Sequence, residues 1–182
     1  MPIAAPPSEG LLRGRGGGLE KRYLAICRGQ PDWDTRDCTA PIGQDPDRAV
    51  APRRAVRPDG QPAHSRFILQ RRLGFGLSLV EALLLTGRSH QLRVHLDHLG
   101  LPLLGDKLYG QPDATFQGFV ASGETPELRA AVGFPRQALH AWRLRLPHPD
   151  GAVLELEAPL PADLLAVVEG AAPEWPDPPK SS

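Results

Sequence analysis

Thr86-Gly87-Arg88-Ser89-His90-Gln91-Leu92-Arg93-Val94-His95-Leu96-Asp97-His98-Leu99-Gly100 is the most informative stretch of the chain. Leu92, Leu96 and Leu99 recur at helical spacing, so they share one apolar face. Thr86 or Ser89 is placed to cap the start and Gly100 to close the end. A step of about 100° per residue sets Arg88 beside the apolar stripe, next to His95 and Gln91, and turns Arg93 and Asp97 the other way. An inward arginine is costly unless an anion pairs with it, and a helix N-terminus adds positive potential there. Arg88 is thus a candidate anion partner. The plainer reading is a partly exposed arginine with only its stem packed.

Outward from this segment, the pattern changes to strands. Arg22-Tyr23-Leu24-Ala25-Ile26-Cys27 is one candidate. Ser65–Gln70 and Leu77–Leu83 form a pair joined by Gly74-Phe75-Gly76. Ala138–Leu146 and Val153–Glu157 alternate around the turn Pro149-Asp150-Gly151. Pro41–Pro46 is expected as a loop, and Pro161–Val168 as a short helix opened by proline and closed by Gly170. Strands joined by hairpins, with few helices, predict an α+β fold built on a mixed, largely antiparallel sheet.

The 182 residues suit one domain with a buried core, and Pro 21 with Gly 19 predicts many loops. Residues 1–18 are expected as a disordered lead-in, 19–170 as the domain and 171–182 as a disordered tail. No apolar run approaches the ~20 residues of a membrane span, and no secretory signal is visible, so a cytoplasmic protein without membrane contact is expected. Cys27 and Cys38 are expected to be reduced and inert. His90, His95 and His98 lack the partners and spacing of a metal site, so no metal is expected.

The formal net charge is +0, but it conceals an asymmetry. Arg48, Arg53, Arg54, Arg57, Arg66, Arg71 and Arg72 face one acid, Asp59, over that segment. From Asp150 onward there are seven acids against Lys180 alone. Arg53, Arg54 and Arg57 are candidates for RNA-backbone contact; a solvated arginine-rich surface is the alternative. Tyr23 is a candidate stacking platform for a base, or a core tyrosine.

Thr86–Leu96 followed by Leu103-Leu104-Gly105-Asp106-Lys107-Leu108-Tyr109-Gly110 resembles the signature of the RluA-type (large-subunit) RNA pseudouridine synthases. Lys21-Arg22-Tyr23 resembles that family's Lys-x-Tyr strand and Pro41-Ile42-Gly43 its Pro-Ile-Gly loop. Arg136–Ala141 and Leu156–Pro161 resemble its C-terminal strands. The resemblance implies uridine isomerisation in rRNA or tRNA by a monomer, with no metal or organic cofactor. It implies that Arg88 pairs with and orients a catalytic aspartate and that Tyr23 stacks on the extruded uracil. His90, Gln91, Leu103 and Leu104 would line the substrate pocket. A base modified inside RNA must first leave its stack.

The sequence departs from the family where the nucleophile should be. The family's His-Arg-Leu-Asp is absent, and no Asp stands among the residues before Tyr23. Asp45 and Asp106 match family positions with other roles, and Leu101 stands where the family usually has His. The expectation is a partial catalytic domain, inactive as this chain, with an unpaired sheet edge and an uncovered apolar face. A non-catalytic RNA-binding remnant is the alternative.

Overall fold

The structure is a computed structural model, which describes residues 18–45 and 53–175. Eight strands and four helices follow in chain order: β1 (Glu20–Arg28), β2 (Thr35–Cys38), β3 (Ile42–Gln44), β4 (Arg54–Val56), β5 (Ser65–Arg72), β6 (Leu77–Leu84), α1 (Gln91–His98), α2 (Asp113–Ser122), α3 (Pro126–Val132), β7 (Leu139–Pro147), β8 (Val153–Glu157) and α4 (Ala162–Val168). Six strands form one sheet in the order β2-β5-β6-β1-β7-β8, and β3 pairs with β4 in a second. Every pairing is antiparallel. This is the expected α+β class.

Strand alternation sorts the core onto the two faces of the large sheet. Ala25, Cys27, Phe67, Val80 and Ala82 pack against Leu92 and Leu96 of α1 and against Leu101 and Leu103. Leu24, Ile26, Leu77, Leu79 and Trp142 pack on the opposite side against Leu104, Phe134, Leu164, Val167 and Val168. β6 lies between β5 and β1 and is buried almost throughout, Glu81 included. That carboxylate is kept inside by Arg22 at 2.7 Å and by Gln70, whose amide donates at 2.8 Å.

The expected hairpins are present. Leu73 and Leu77 close the 74–76 turn, and His148 and Ala152 close the 149–151 turn. Four features differ from the sequence reading. Ile42–Gln44, expected in a loop, is strand β3, because Arg54–Val56 supplies a partner with register Ile42↔Val56. β2 pairs with β5 (Thr35↔Ile68), although its own residues are mostly exposed and carry little apolar pattern. α2 and α3 fill a stretch with no helical apolar stripe; each buries one residue, Thr115 and Val132. Within the expected tail, Trp175 stacks on Phe119 with ring centroids 6.3 Å apart. The remainder of the expected lead-in and tail, residues 1–17 and 176–182, lies outside the described residues, as does Arg48.

All five residues of β8 are exposed, among them Val153 (50%), Leu154 (39%) and Leu156 (50%), and β8 ends the large sheet. Among the described residues β8 is thus one of the two edges of the large sheet, and it carries exposed apolar side chains.

Candidate functional site

α1 begins at Gln91, three residues after Arg88, and His90 stands at its N-cap with φ 57° and no side-chain cap bond. The expected caps Thr86 and Ser89 therefore do not start the helix. Thr86 instead donates its hydroxyl to Gln91 Oε1 at 2.8 Å. The phase that placed Arg88 inward does not apply, because Arg88 precedes the helix. Its side chain is exposed, and Nε donates to the Pro62 carbonyl at 3.0 Å. Among the described residues no carboxylate pairs with it.

Arg88 lines a polar cleft of about 380 Å³ with Ser89, Arg54, Gln61 and the main chain around Gly43 and Gly60. One wall is the β3–β4 pair. Its close contact with the following turn requires glycine at position 60, where a Cβ would lie 2.6 Å from the Ile42 carbonyl carbon. Arg54 also lacks a carboxylate partner among the described residues, whereas Arg57 forms a two-pronged pair with Asp59 at 2.8 and 3.1 Å.

Arg53 departs from its expected role. It is 8% exposed, lies over the Tyr109 ring at 4.9 Å and donates to the Leu108 carbonyl. Asp45, Asp113 and Asp97 approach it at 3.3, 3.7 and 4.0 Å. A guanidinium enclosed by three acids is a structural clasp and is not presented to a phosphate backbone. The face of α1 carrying Arg93 and Asp97 is likewise covered. Ile42, Ala63, Val94, Leu108 and Tyr109 form a third apolar cluster there. Arg93 binds Asp106 through two bonds of 2.7 Å and lies 4.7 Å from the Tyr109 ring centre. These roles for Asp106 and Tyr109 were not legible in the sequence pattern. The Asp-x-x-Tyr spacing from a glycine turn was their only local signal.

His90 meets Tyr109 edge to face, with Nδ1 3.0 Å from the phenol oxygen. That hydroxyl also accepts the Arg54 main-chain N–H at 3.0 Å. Burial, then the positive charge of Arg93, depresses the His90 pKa below the ordinary histidine value. Gln91, expected in the substrate pocket, is 2% exposed with its amide fully hydrogen-bonded, and so lies behind the cleft wall. Leu103 and Leu104 are each 2% exposed and point to opposite faces of the sheet. Leu103 shares its cluster with Tyr23, whereas Leu104 belongs to the opposite core.

Tyr23 is half-buried on β1, opposite Ala82 of β6, two positions before that strand ends. The run to Arg88 leaves from the same end of the sheet. Tyr23 lines an apolar cleft of about 330 Å³ with Ala141, Leu144 and Leu156. The Tyr23 and Arg88 clefts share no lining residue, so the topology brings the two residues to one end of the sheet without joining them in one pocket. Among the described residues no group of three His, Cys, Asp or Glu is placed to hold a metal ion. No helix there is long and apolar enough to cross a membrane.

An antiparallel sheet with α1 on one face and α4 on the other, and an exposed arginine in the turn before α1, defines an α+β domain. The family model for RNA pseudouridylate synthase matches residues 11–98. An uncharacterized RNA pseudouridine synthase of Chloroflexus aurantiacus is 43% identical over 151 residues, covering 82% of this chain and 42% of the relative. Ribosomal large subunit pseudouridine synthase D of Nitrosomonas europaea is 38% identical, covering 83% of this chain and 40% of its own length. The solved structure of human RNA pseudouridylate synthase domain containing 1 superposes with a TM-score of 0.60 at 29% identity, over 78% of this chain and 54% of that one. The chain belongs to the RluA-type RNA pseudouridine synthase family, and spans about two fifths of the length of the curated relatives it matches.

Proposed function

We propose that the chain supplies the Arg88 and Tyr23 portion of an RNA uridine-isomerising site, acting on rRNA or tRNA in the cytoplasm. The observation that carries this reading is the state of Arg88. It lies within the family-like motif, exposed beside a polar cleft, and no carboxylate pairs with it among the described residues. A guanidinium so placed is available to an aspartate or to a phosphate oxygen. In this reading Tyr23 offers its ring to an extruded uracil, with Leu103 in the wall behind it. In the same reading Arg54, in the Arg88 cleft, and Arg57, in the adjoining cleft with Gly43 and Gln44, contact the RNA backbone.

The sequence contains no His-Arg-Leu-Asp, so the 182 residues by themselves bind RNA as a monomer without isomerising it. The test is tritium release from C5-labelled uridine in ribosomal and transfer RNA, run beside salt-dependent RNA binding. The expected result is binding that weakens with salt and no release. Turnover by the isolated chain would overturn the assignment of the nucleophile to sequence outside it. Binding indifferent to salt would overturn the RNA reading. The absence of the motif equally favours a second reading, a non-catalytic RNA-binding remnant. Release restored by a polypeptide that carries the motif would exclude it.

A further inference from the structure

Gln91 is the first residue of α1, and every hydrogen-bonding position of its amide is used. Oε1 accepts from the Arg88 main-chain N–H at 2.9 Å and from the Thr86 hydroxyl at 2.8 Å. Nε2 donates to the His64 carbonyl and to the Ser65 hydroxyl, both at 2.9 Å. A primary amide has two N–H donors and one carbonyl acceptor with two lone pairs, so this one retains nothing for a ligand.

The proton directions follow around the network. Ser65, having accepted from Gln91, donates to His95 Nδ1 at 3.0 Å. His95 then carries its proton on Nε2 and gives it to the Ala40 carbonyl at 2.9 Å. Thr86 Oγ1 accepts the His64 main-chain N–H at 2.8 Å while its own proton goes to Gln91. One buried side chain therefore ties together the run after β6, the start of β5 and the start of α1.

That run is otherwise held by the Leu85 and Thr86 main-chain N–H groups on the His64 carbonyl, by Arg88 Nε on the Pro62 carbonyl and by the contact of His90 with Tyr109. Residues 85–90 form no helix or strand, and a Cβ at Gly87 would meet nothing within 4 Å. Hydrogen bonds hold it, with little packing. We infer that Gln91 is a positioning residue for Arg88: it fixes the main chain so that the guanidinium stays at the mouth of the cleft with Arg54. Preorganising the arginine removes part of the ordering cost of binding. The inference rests on the reading of Arg88 as RNA-facing.

The experiment compares the full chain with Arg88→Ala, Gln91→Met, the double variant, Thr86→Val and Thr86→Ser. Amide hydrogen exchange at Arg88 is measured by NMR without RNA, and affinity is measured with a fluorescein-labelled oligouridylate. In the unmodified chain the Arg88 amide is expected to exchange at least roughly tenfold more slowly than an unstructured amide, and Gln91→Met removes that protection. Gln91→Met and Arg88→Ala each weaken RNA binding by roughly tenfold, and the double variant is no weaker than Arg88→Ala. Thr86→Ser keeps both properties and Thr86→Val loses part of both. The threonine pair carries the test if Gln91→Met does not fold. An unprotected Arg88 amide in the unmodified chain, or additive losses in the double variant, would overturn the inference. A protected amide with no effect of Arg88→Ala on RNA would instead overturn the reading of Arg88 itself, and the inferred role of the hold with it.

Discussion

Arg93 and Asp106 form a two-pronged ion pair at 2.7 Å on each arm, and the Asp106 side chain has no solvent exposure. Asp106 Oδ1 also accepts the main-chain N–H groups of Leu108 and Tyr109, at 2.9 and 3.1 Å. The carboxylate thus folds the 106–109 turn onto α1. Removing one partner leaves a buried charge without compensation. Arg93→Ala is expected to cost about 3–5 kcal/mol, read from urea unfolding. A loss near zero would show that water reaches Asp106.

Arg53 and Arg88 are expected to separate stability from binding. Arg53→Ala should lower the unfolding midpoint markedly and, in whatever remains folded, leave the salt dependence of RNA binding unchanged. Arg88→Ala should leave the midpoint in place and reduce the salt slope by about one. Thermal melts and binding isotherms at several salt concentrations check both. The reverse pattern would contradict the placement of the two guanidinium groups.

Leu96 is 0% exposed and joins α1 to the sheet. Leu96→Ala should cost about 2–5 kcal/mol through lost transfer energy and a residual cavity. Leu99 is only partly buried at the end of the same stripe, so Leu99→Ala should cost less. Equal losses would mean that the helix end is packed as tightly as its middle.

The histidines set a pH dependence. Burial, then the charges of His98 and His64, depresses the His95 pKa, against the Ala40 carbonyl that raises it. Burial and the charge of Arg93 depress His90. An unfolded histidine titrates at about 6.5. Below that pH the unfolded chain takes up protons that the native state refuses, so stability rises with pH in this window. It should be complete above about pH 6.5 and fall as the solution is acidified. Urea midpoints from pH 8 to 5 check this, and His95→Gln should flatten the slope. A midpoint that climbs on acidification would refute the downward direction of both shifts.

β8 is the exposed end of the large sheet. Leu154→Lys or Leu156→Lys should reduce concentration-dependent association in light scattering, with little loss of stability. Unchanged association would place the sticky surface elsewhere.

The alternation in β1, β5, β6, β7 and β8, the two turn sequences and the leucine stripe of α1 were legible because each is a local pattern of period 2 or 3.6. α3 was not anticipated, although Thr125 caps its start in the structure, where its side chain accepts from Leu128 N–H at 3.3 Å. β2, β3 and β4 were not legible, because each is too short to show a period and exists through its partner. Arg88 and Arg53 show the same division among site residues. Both are arginines in loops, and composition made both candidates for an anion. Whether such a cation meets water or acids depends on segments distant in sequence. Pro62 and the β3–β4 cleft receive Arg88, while Asp45, Asp97, Asp113 and Tyr109 converge on Arg53. The sequence by itself determined the family, five strands of the large sheet and the central helix. Only the tertiary structure decided which guanidinium is offered and which is enclosed, because solvation is a property of assembled surfaces and has no period along the chain.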